Sequence, residues 1–500
     1  MIAGAGSIPH MTSFENFITE VINNNLWKVI PYLLILAGVY FAIRTIVVQI
    51  RMIPEMFRAV SERNEVVDPD TDEPGISAFK AFTISAASRV GTGNVAGVAV
   101  AITLGGPGAV FWMWMIALLG GATSFVESTL AQLWKEKEPD GTYRGGPAYY
   151  MTKGLKAPGL AVVFGIAITL TYGFVYNAIQ ANSIAESVGT SFDTDSIVFK
   201  AGVGIILAVI TGSIIFGGVQ RIANFTQVIV PVMALLYIGI GIIVLALNVE
   251  KIPGMFALIF EQAVGIREVA GATVGAAFMN GMRRGLFSNE AGQGSAPNAA
   301  ATATVSHPVK QGLVQTLGVY FDTLLVCSIT AFIILLGAPE YGKEVQGASL
   351  TQQALAGEVG HWGIHFITLI LFFLAFSSVI GNYYLAQANI EYFTQSKTVM
   401  TIFRVIVMAC VFGGAIGSVP LVWALGDTFA AIMVIINLIA IVPLGGVAVK
   451  LLKNFSIQKA QGYDPVFHRD MLPEVKNITC WDGSDPVTHR GGHVITAVEE

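Results

Sequence analysis

About eleven apolar stretches follow one another along the chain, at residues 27–50, 76–104, 109–134, 160–188, 197–218, 223–247, 256–287, 313–337, 362–384, 400–416 and 422–452. Each approaches or exceeds the ~20 apolar residues that carry a helix across a bilayer. In lipid only helices and closed barrels satisfy their own backbone, and apolar runs of this length are helices. The chain is therefore read as an all-α polytopic membrane protein. Composition agrees: 54% of the 500 residues are hydrophobic and 12% charged, against ~25% charged in soluble proteins. That excludes an ordinary soluble enzyme, a nucleic-acid binder and a disordered chain. A net charge of −5 is slight at this length and implies no electrostatic partner, so the lipid bilayer is the one partner composition names. Three cysteines make no even disulfide set, and Cys327 and Cys410 lie in apolar runs as small hydrophobes.

Basic residues in short loops set the orientation. Arg51, Arg58 and Arg63 follow the first stretch, Lys135, Lys137 and Arg144 the third, and Arg221 the fifth, while Arg283 and Arg284 end the seventh. Lys397 and Arg404 follow the ninth, and Lys450, Lys453 and Lys459 the last; the intervening loops are nearly uncharged or mildly acidic. This alternation predicts an outside N-terminus and a cytoplasmic C-terminus. Residues 1–25 lack the basic start and short apolar core of a cleaved signal, so the first stretch is expected to direct insertion. One stretch is left over after pairing. Stretches two to six and seven to eleven then form two five-helix halves of opposite entry, the layout of an inverted-repeat secondary transporter. The expected division is an N-terminal segment with the extra helix and a cytoplasmic linker (1–75), a transporter core (76–452, halves 76–248 and 254–452) and a cytoplasmic tail (453–500).

Such transporters hold substrate where a helix is interrupted at the bilayer midplane, because the freed amides and carbonyls address a carboxylate and a cation. In the second stretch Gly91, Gly93 and Gly97 stand with Ser88, Thr92 and Asn94 amid apolar residues, and each Gly weakens a helix by ~1 kcal/mol relative to Ala. The amides of Gly91 to Asn94 are expected to face a carboxylate, and the Asn94 amide oxygen a cation. In the seventh stretch Gly271-Ala272-Thr273-Val274-Gly275 offers the second break; its small residues suit close helix packing equally well. Two adjacent arginines are costly in lipid, so Arg283, Arg284 and the glycines up to Pro297 are read as a cytoplasmic mouth. Ser377 and Ser378, midway along the ninth stretch, can offer oxygens to a hard cation or bond back to the preceding turn. Ionisable residues at membrane depth are functional candidates: Arg89, Glu127 and Asp322, with Arg89 expected to pair with Glu127. The seven histidines show no metal-ligand spacing, and no nucleophile–base or paired-carboxylate arrangement points to catalysis, so no enzyme activity is expected.

Four motifs carry a resemblance: Gly105-Gly106-Pro107-Gly108-Ala109-Val110-Phe111-Trp112-Met113-Trp114-Met115, Val90-Gly91-Thr92-Gly93-Asn94-Val95-Ala96-Gly97, Gly145-Gly146-Pro147-Ala148-Tyr149-Tyr150 and Arg284-Gly285-Leu286-Phe287-Ser288-Asn289-Glu290-Ala291-Gly292. They resemble the alanine/glycine:cation symporter family, the sodium:alanine symporters, over about residues 76–452. The resemblance implies a leucine-transporter-like fold with one additional N-terminal helix. It implies import of a small neutral amino acid, alanine or glycine, coupled to sodium by alternating access across a bacterial or archaeal plasma (inner) membrane. It further implies that Thr92, Gly93 and Asn94 bind the substrate carboxylate through backbone amides, with Thr273, Val274, Gly275, Ser378 and Asn382 bordering the substrate. Sodium is then held by the Ala87 and Val90 carbonyls with the Ser377 and Ser378 hydroxyls, and Asn94 with Thr273 serves a second sodium. The chain departs from the family's pattern at Arg89, Asn382 and Leu385-Ala386-Gln387, positions that bear on substrate range. The alternatives are proton coupling through Glu127 or Asp322, and an amino-acid-gated channel or sensor that binds without pumping.

Overall fold

The computed structural model describes residues 16–62, 75–139, 141–267, 272–339, 341, 347–484 and 487–488. Arg63, Gly271 and the end of the tail lie outside them. The described chain is built almost wholly of helices: α1 (Phe17–Arg44), α2 (Ile53–Ser61), α3 (Ala78–Arg89), α4 (Gly93–Gly105), α5 (Gly108–Leu133), α6 (147–154), α7 (Pro158–Ser191), α8 (Ile197–Ile215), α9 (Gly218–Leu247), α10 (Ile252–Ala263), α11 (Val274–Asn289), α12 (Ala296–Ala301), α13 (Pro308–Leu336), α14 (Ala348–Val359), α15 (Trp362–Phe393), α16 (Lys397–Ile416) and α17 (Val419–Ala460). Among the described residues nine of these, α1, α5, α7, α8, α9, α13, α15, α16 and α17, are long and apolar enough to cross a membrane.

The two remaining stretches are the interrupted ones. The second is split into α3 and α4 at residues 90–92, as expected. The seventh is not one span. Its first part is α10, a separate helix that starts at Ile252 with Pro253 in its first turn and ends before Gly265, whose φ of +79° turns the chain. Thr273 then caps α11, its Oγ1 accepting from the Ala276 amide at 3.1 Å. The second break comes later, between α11 and α12, at Glu290–Ser295. Thr273, Val274 and Gly275 therefore mark an exposed helix start rather than a break.

The Gly-Gly-Pro-Gly run at Gly105–Gly108 is a seat for α10. Gly106 adopts φ +71°, and a Cβ there would lie 2.9 Å from Ala272, so only glycine serves. The Gln262 side chain enters the seat: its oxygen accepts from the Gly108 amide, and its nitrogen donates to the Gly105 and Ala272 carbonyls, each at 3.3 Å.

Contacts define two ends of the bundle. At one end Thr304 N donates to the Ile76 carbonyl and Phe467 N to Ser306, both at 2.8 Å. Lys310 bridges Glu62 and Asp464 at 2.9 Å. The tail folds back here, Trp134 donating to Lys476 and Trp481 to Gln132, each at 3.1 Å. His307 sits between the Phe455 and Phe467 rings, and burial pushes its imidazole down to about 3. It is neutral, so Nδ1 accepts from Val309 N at 3.2 Å while Nε2 donates to Asn454. At the other end Gln352 donates to the Ser187 carbonyl at 3.0 Å and Asn182 to Gly417 at 2.8 Å. Arg283 and Arg284 belong to this second half, with Trp27 and Asp427, and not with the lysines at the tail-covered end. The arginines are tolerable at that depth because protein surrounds them and supplies a carboxylate and aromatic faces.

Helices α7 and α16 approach without side chains between them at Gly414, where a Cβ would lie 2.7 Å from the Ala178 carbonyl carbon. Gly414→Ala is expected to destabilise the protein by about 1–3 kcal/mol, read as a lowered melting temperature in detergent; an unchanged melting temperature contradicts this packing.

Candidate functional site

The first break exposes amides that side chains then take. Val90 leaves the helix at φ −82°, ψ 90°. Beyond it Gly91 N donates to Asn94 Oδ1 at 2.8 Å and Thr92 N to Gln180 Oε1, from α7, at 2.9 Å. Gly91 has no room for a side chain, because Ser378 Oγ and Gln180 Oε1 occupy the place of a Cβ. Asn94 Nδ2 meanwhile donates to Asp322 Oδ1 at 2.7 Å. Asp322 lies on the π-helical turn Tyr320–Cys327 of α13 and accepts from Thr323 Oγ1 at 2.7 Å. Local π turns of this kind recur at functional sites.

The second break is held from α5. Glu290 adopts the left-handed conformation at φ +58°, and Gly292 and Gly294 follow with positive φ. The Glu127 carboxylate accepts from Gly292 N at 3.1 Å, from Gly294 N at 3.2 Å and from Asn437 Nδ2 at 2.7 Å. Tyr150 of α6 donates in turn to Asn437 Oδ1 at 2.5 Å. Gln293 Oε1 accepts from Tyr172 at 3.0 Å and Tyr176 at 3.2 Å. The breaks touch each other: Ser88 Oγ donates to Glu290 Oε2 at 3.1 Å, and a Cβ on Gly93 would lie 3.2 Å from Ser288 Cα.

Of the expected residues, Ala87, Val90, Thr92, Gly93, Asn94, Ser377, Ser378 and Asn382 are all buried around the first break. Ser378 Oγ lies 3.4 Å from the Val90 carbonyl and donates to Leu374 O at 3.1 Å, as does Ser377 at 2.8 Å. Gly381 lets α15 close on α3, since a Cβ there would lie 2.7 Å from Ser88 N. The Thr92 hydroxyl and both polar atoms of Asn382 are buried without a hydrogen-bond partner among the described residues. Thr273, Val274 and Gly275 stand apart, exposed at the start of α11. Arg89 is not paired with Glu127, whose oxygens serve the second break. Its Nη1 donates to the Gln315 carbonyl at 3.2 Å, and Nε and Nη2 have no partner among the described residues. Towards the Trp27 end the site is covered by a buried Arg284–Asp427 ion pair, with the guanidinium 4.7 Å from the Trp423 ring centroid.

Sequence reasoning missed Gln180, Gln293 and Asn437, whose roles follow from tertiary placement. Glu290 lay inside a quoted motif but was assigned to a mouth. The signal that could have found the second break is Glu290-Ala291-Gly292-Gln293-Gly294, two glycines one apart as in Gly91–Gly93.

Comparisons with known proteins place the chain in a family and a fold. A model of the sodium:alanine symporter family matches residues 11–469. The chain is 46% identical to the probable sodium/glutamine symporter GlnT of Bacillus subtilis, over 96% of this chain and 98% of that one. It is 48% identical to the amino-acid carrier protein AlsT of the same organism, over 94% and 99%. It is 36% identical to the sodium/alanine symporter AgcS of Methanococcus maripaludis, over 88% and 97%. Among solved structures, MhsT in complex with L-phenylalanine aligns with a TM-score of 0.53 at 14% identity, over 79% of this chain and 91% of that one, which shows a shared fold.

Glu127→Gln places an N–H donor where two backbone amides and Asn437 all require an acceptor. Uptake of labelled amino acid in proteoliposomes is expected to fall about tenfold or more, the cost of an unsatisfied buried donor, with the protein still inserted. Uptake within twofold of the parent contradicts the clamp.

Proposed function

Because the chain belongs to the sodium:alanine symporter family, we propose that it imports a small neutral amino acid, alanine or glycine, together with sodium, by alternating access. The observation that carries this reading is the meeting of two helix breaks midway between two covered ends, with Ser378 against the Val90 carbonyl. The ten helical passes after α1 then fall into halves 76–248 and 254–452, the N-terminus outside and the tail cytoplasmic.

Sodium binds between the Ala87 and Val90 carbonyls and the Ser377 and Ser378 hydroxyls. Both hydroxyls spend their protons on the Leu374 carbonyl, which leaves oxygen lone pairs for a hard cation. The substrate carboxylate approaches the amides of Gly91 to Asn94, where the Asn94 and Gln180 side-chain oxygens are its competitors. The Thr92 hydroxyl and Asn382 amide, among the buried polar groups without a partner in the described residues, face the substrate, and Glu290–Ser295 borders it in place of Thr273–Gly275. A second sodium binds at Asn94 with Asp322 beside it, the carboxylate supplying the charge such a site needs. Substrate and sodium raise each other's affinity, since linkage is reciprocal. A relative 46% identical carries glutamine in its name and one 36% identical carries alanine, so uptake competed by a panel of amino acids defines the choice.

In proteoliposomes, an inward sodium gradient is expected to accumulate labelled alanine or glycine. Equal accumulation in choline removes sodium coupling, accumulation driven by a pH gradient alone favours proton coupling, and binding without accumulation favours a sensor. Ser378→Ala is expected to raise the half-saturating sodium concentration about tenfold, as loss of one ligand to a charged group, with the ranking of substrates unchanged; a changed ranking at unchanged sodium dependence contradicts the cation assignment.

A further inference from the structure

The extra N-terminal helix reaches the Arg284–Asp427 pair that covers the site. Trp27 of α1 is fully buried and its indole N–H donates to the Asp427 carbonyl at 3.1 Å. The Arg283 guanidinium lies 5.4 Å from the Trp27 ring centroid and donates to Asn24 at 3.5 Å. Arg284, next in sequence, bonds the Asp427 carboxylate. One residue of α1 thus touches both helices whose side chains form the cover: α17 through the backbone of Asp427, and α11 through Arg283. Breaking the cover separates α11 from α17, and the Trp27 contacts oppose that movement on both sides.

We propose that Trp27 is a positioning residue of the outer gate: it holds the Asp427 turn in register with Arg284 and so sets how readily the Arg284–Asp427 pair opens. The proposal rests on the transporter reading for the word gate, while its test needs no transport.

Gly97 provides the reporter position. A Cβ there meets the Trp423 ring at 3.5 Å and Arg284 Cδ at 4.0 Å, so Gly97→Cys fits beneath the pair. Labelling by a membrane-impermeant maleimide in whole cells then reads gate opening, with the parent chain giving the baseline from Cys327, Cys410 and Cys480. Trp27→Phe, which keeps a ring under Arg283 and loses the N–H, is expected to speed labelling about fivefold, the worth of one hydrogen bond. Trp27→His, which restores a ring N–H, is expected to return towards the parent rate. Added to Asp427→Asn, which already frees the gate, Trp27→Phe is expected to accelerate labelling little further. Ile30→Ala, one turn along the same buried face, weakens α1 without touching the pair and is expected to leave labelling unchanged. Equal labelling with and without Trp27→Phe, full additivity with Asp427→Asn, or equal acceleration by Ile30→Ala overturns the proposal. Slower labelling of the Gly97→Cys parent on adding sodium with alanine bears on the transporter reading alone; its absence counts against that reading and leaves the Trp27 comparison standing.

Discussion

A helix interrupted in lipid releases backbone amides and carbonyls where water is scarce, and each must find a partner inside the protein. The architecture of the centre follows from that obligation. Gly91 N and Thr92 N go to the oxygens of Asn94 and Gln180, and Gly292 N and Gly294 N go to the carboxylate of Glu127. Three of these four bonds reach across to another helix. Neither break is therefore satisfied alone: the first needs α7 beside it and the second needs α5. The chain Tyr150–Asn437–Glu127 extends the support from the second break to the tail-covered end.

The two ends of the site are closed by different means. Towards Trp27 the cover is a single buried ion pair with Trp423 and Phe287 against the guanidinium. Pairs of this kind are held as much by geometry as by net energy, because desolvation offsets much of the attraction. At the other end closure is spread over backbone contacts between residues 76, 304, 306 and 467, the Lys310 bridges and the packed His307. A compact pair responds to small shifts of two helices, whereas the distributed end requires several segments to part together.

The membrane class and the first break were legible in the sequence, because hydropathy and clustered glycines are local properties; eleven stretches were read, and nine helices among the described residues are long and apolar enough to cross a membrane. Of the cation candidates, Ser378 lies against the Val90 carbonyl, and Gly381 of the same helix packs on Ala87. The second break was expected at Gly271–Gly275 and lies at Glu290–Ser295, since α10 is apolar enough on its α5-facing side to read as half a span. Its Phe256 and Phe260 pack on Trp114 and Phe111. The two arginines misled for a related reason: the cost of a charge in lipid is real, but Arg284 is in protein, and its partner Asp427 lies 143 residues away. Gln180 and Asn437 carried no signal at all, as an amide in an apolar run gives no hint of what it will cap.

The tail contributes a constraint of another kind, on the order of synthesis. Trp481 bonds to Gln132 across 349 residues, and Phe467 completes the surface begun by residues 76 and 304. Translation delivers α5 long before these partners exist. Until residues 467–481 are made, the surface they cover is unfinished, with the indole of Trp134 and the Gln132 carbonyl awaiting their bonds. Closure of that surface therefore waits on residues 467–481, although α1 to α17 all precede them in the chain.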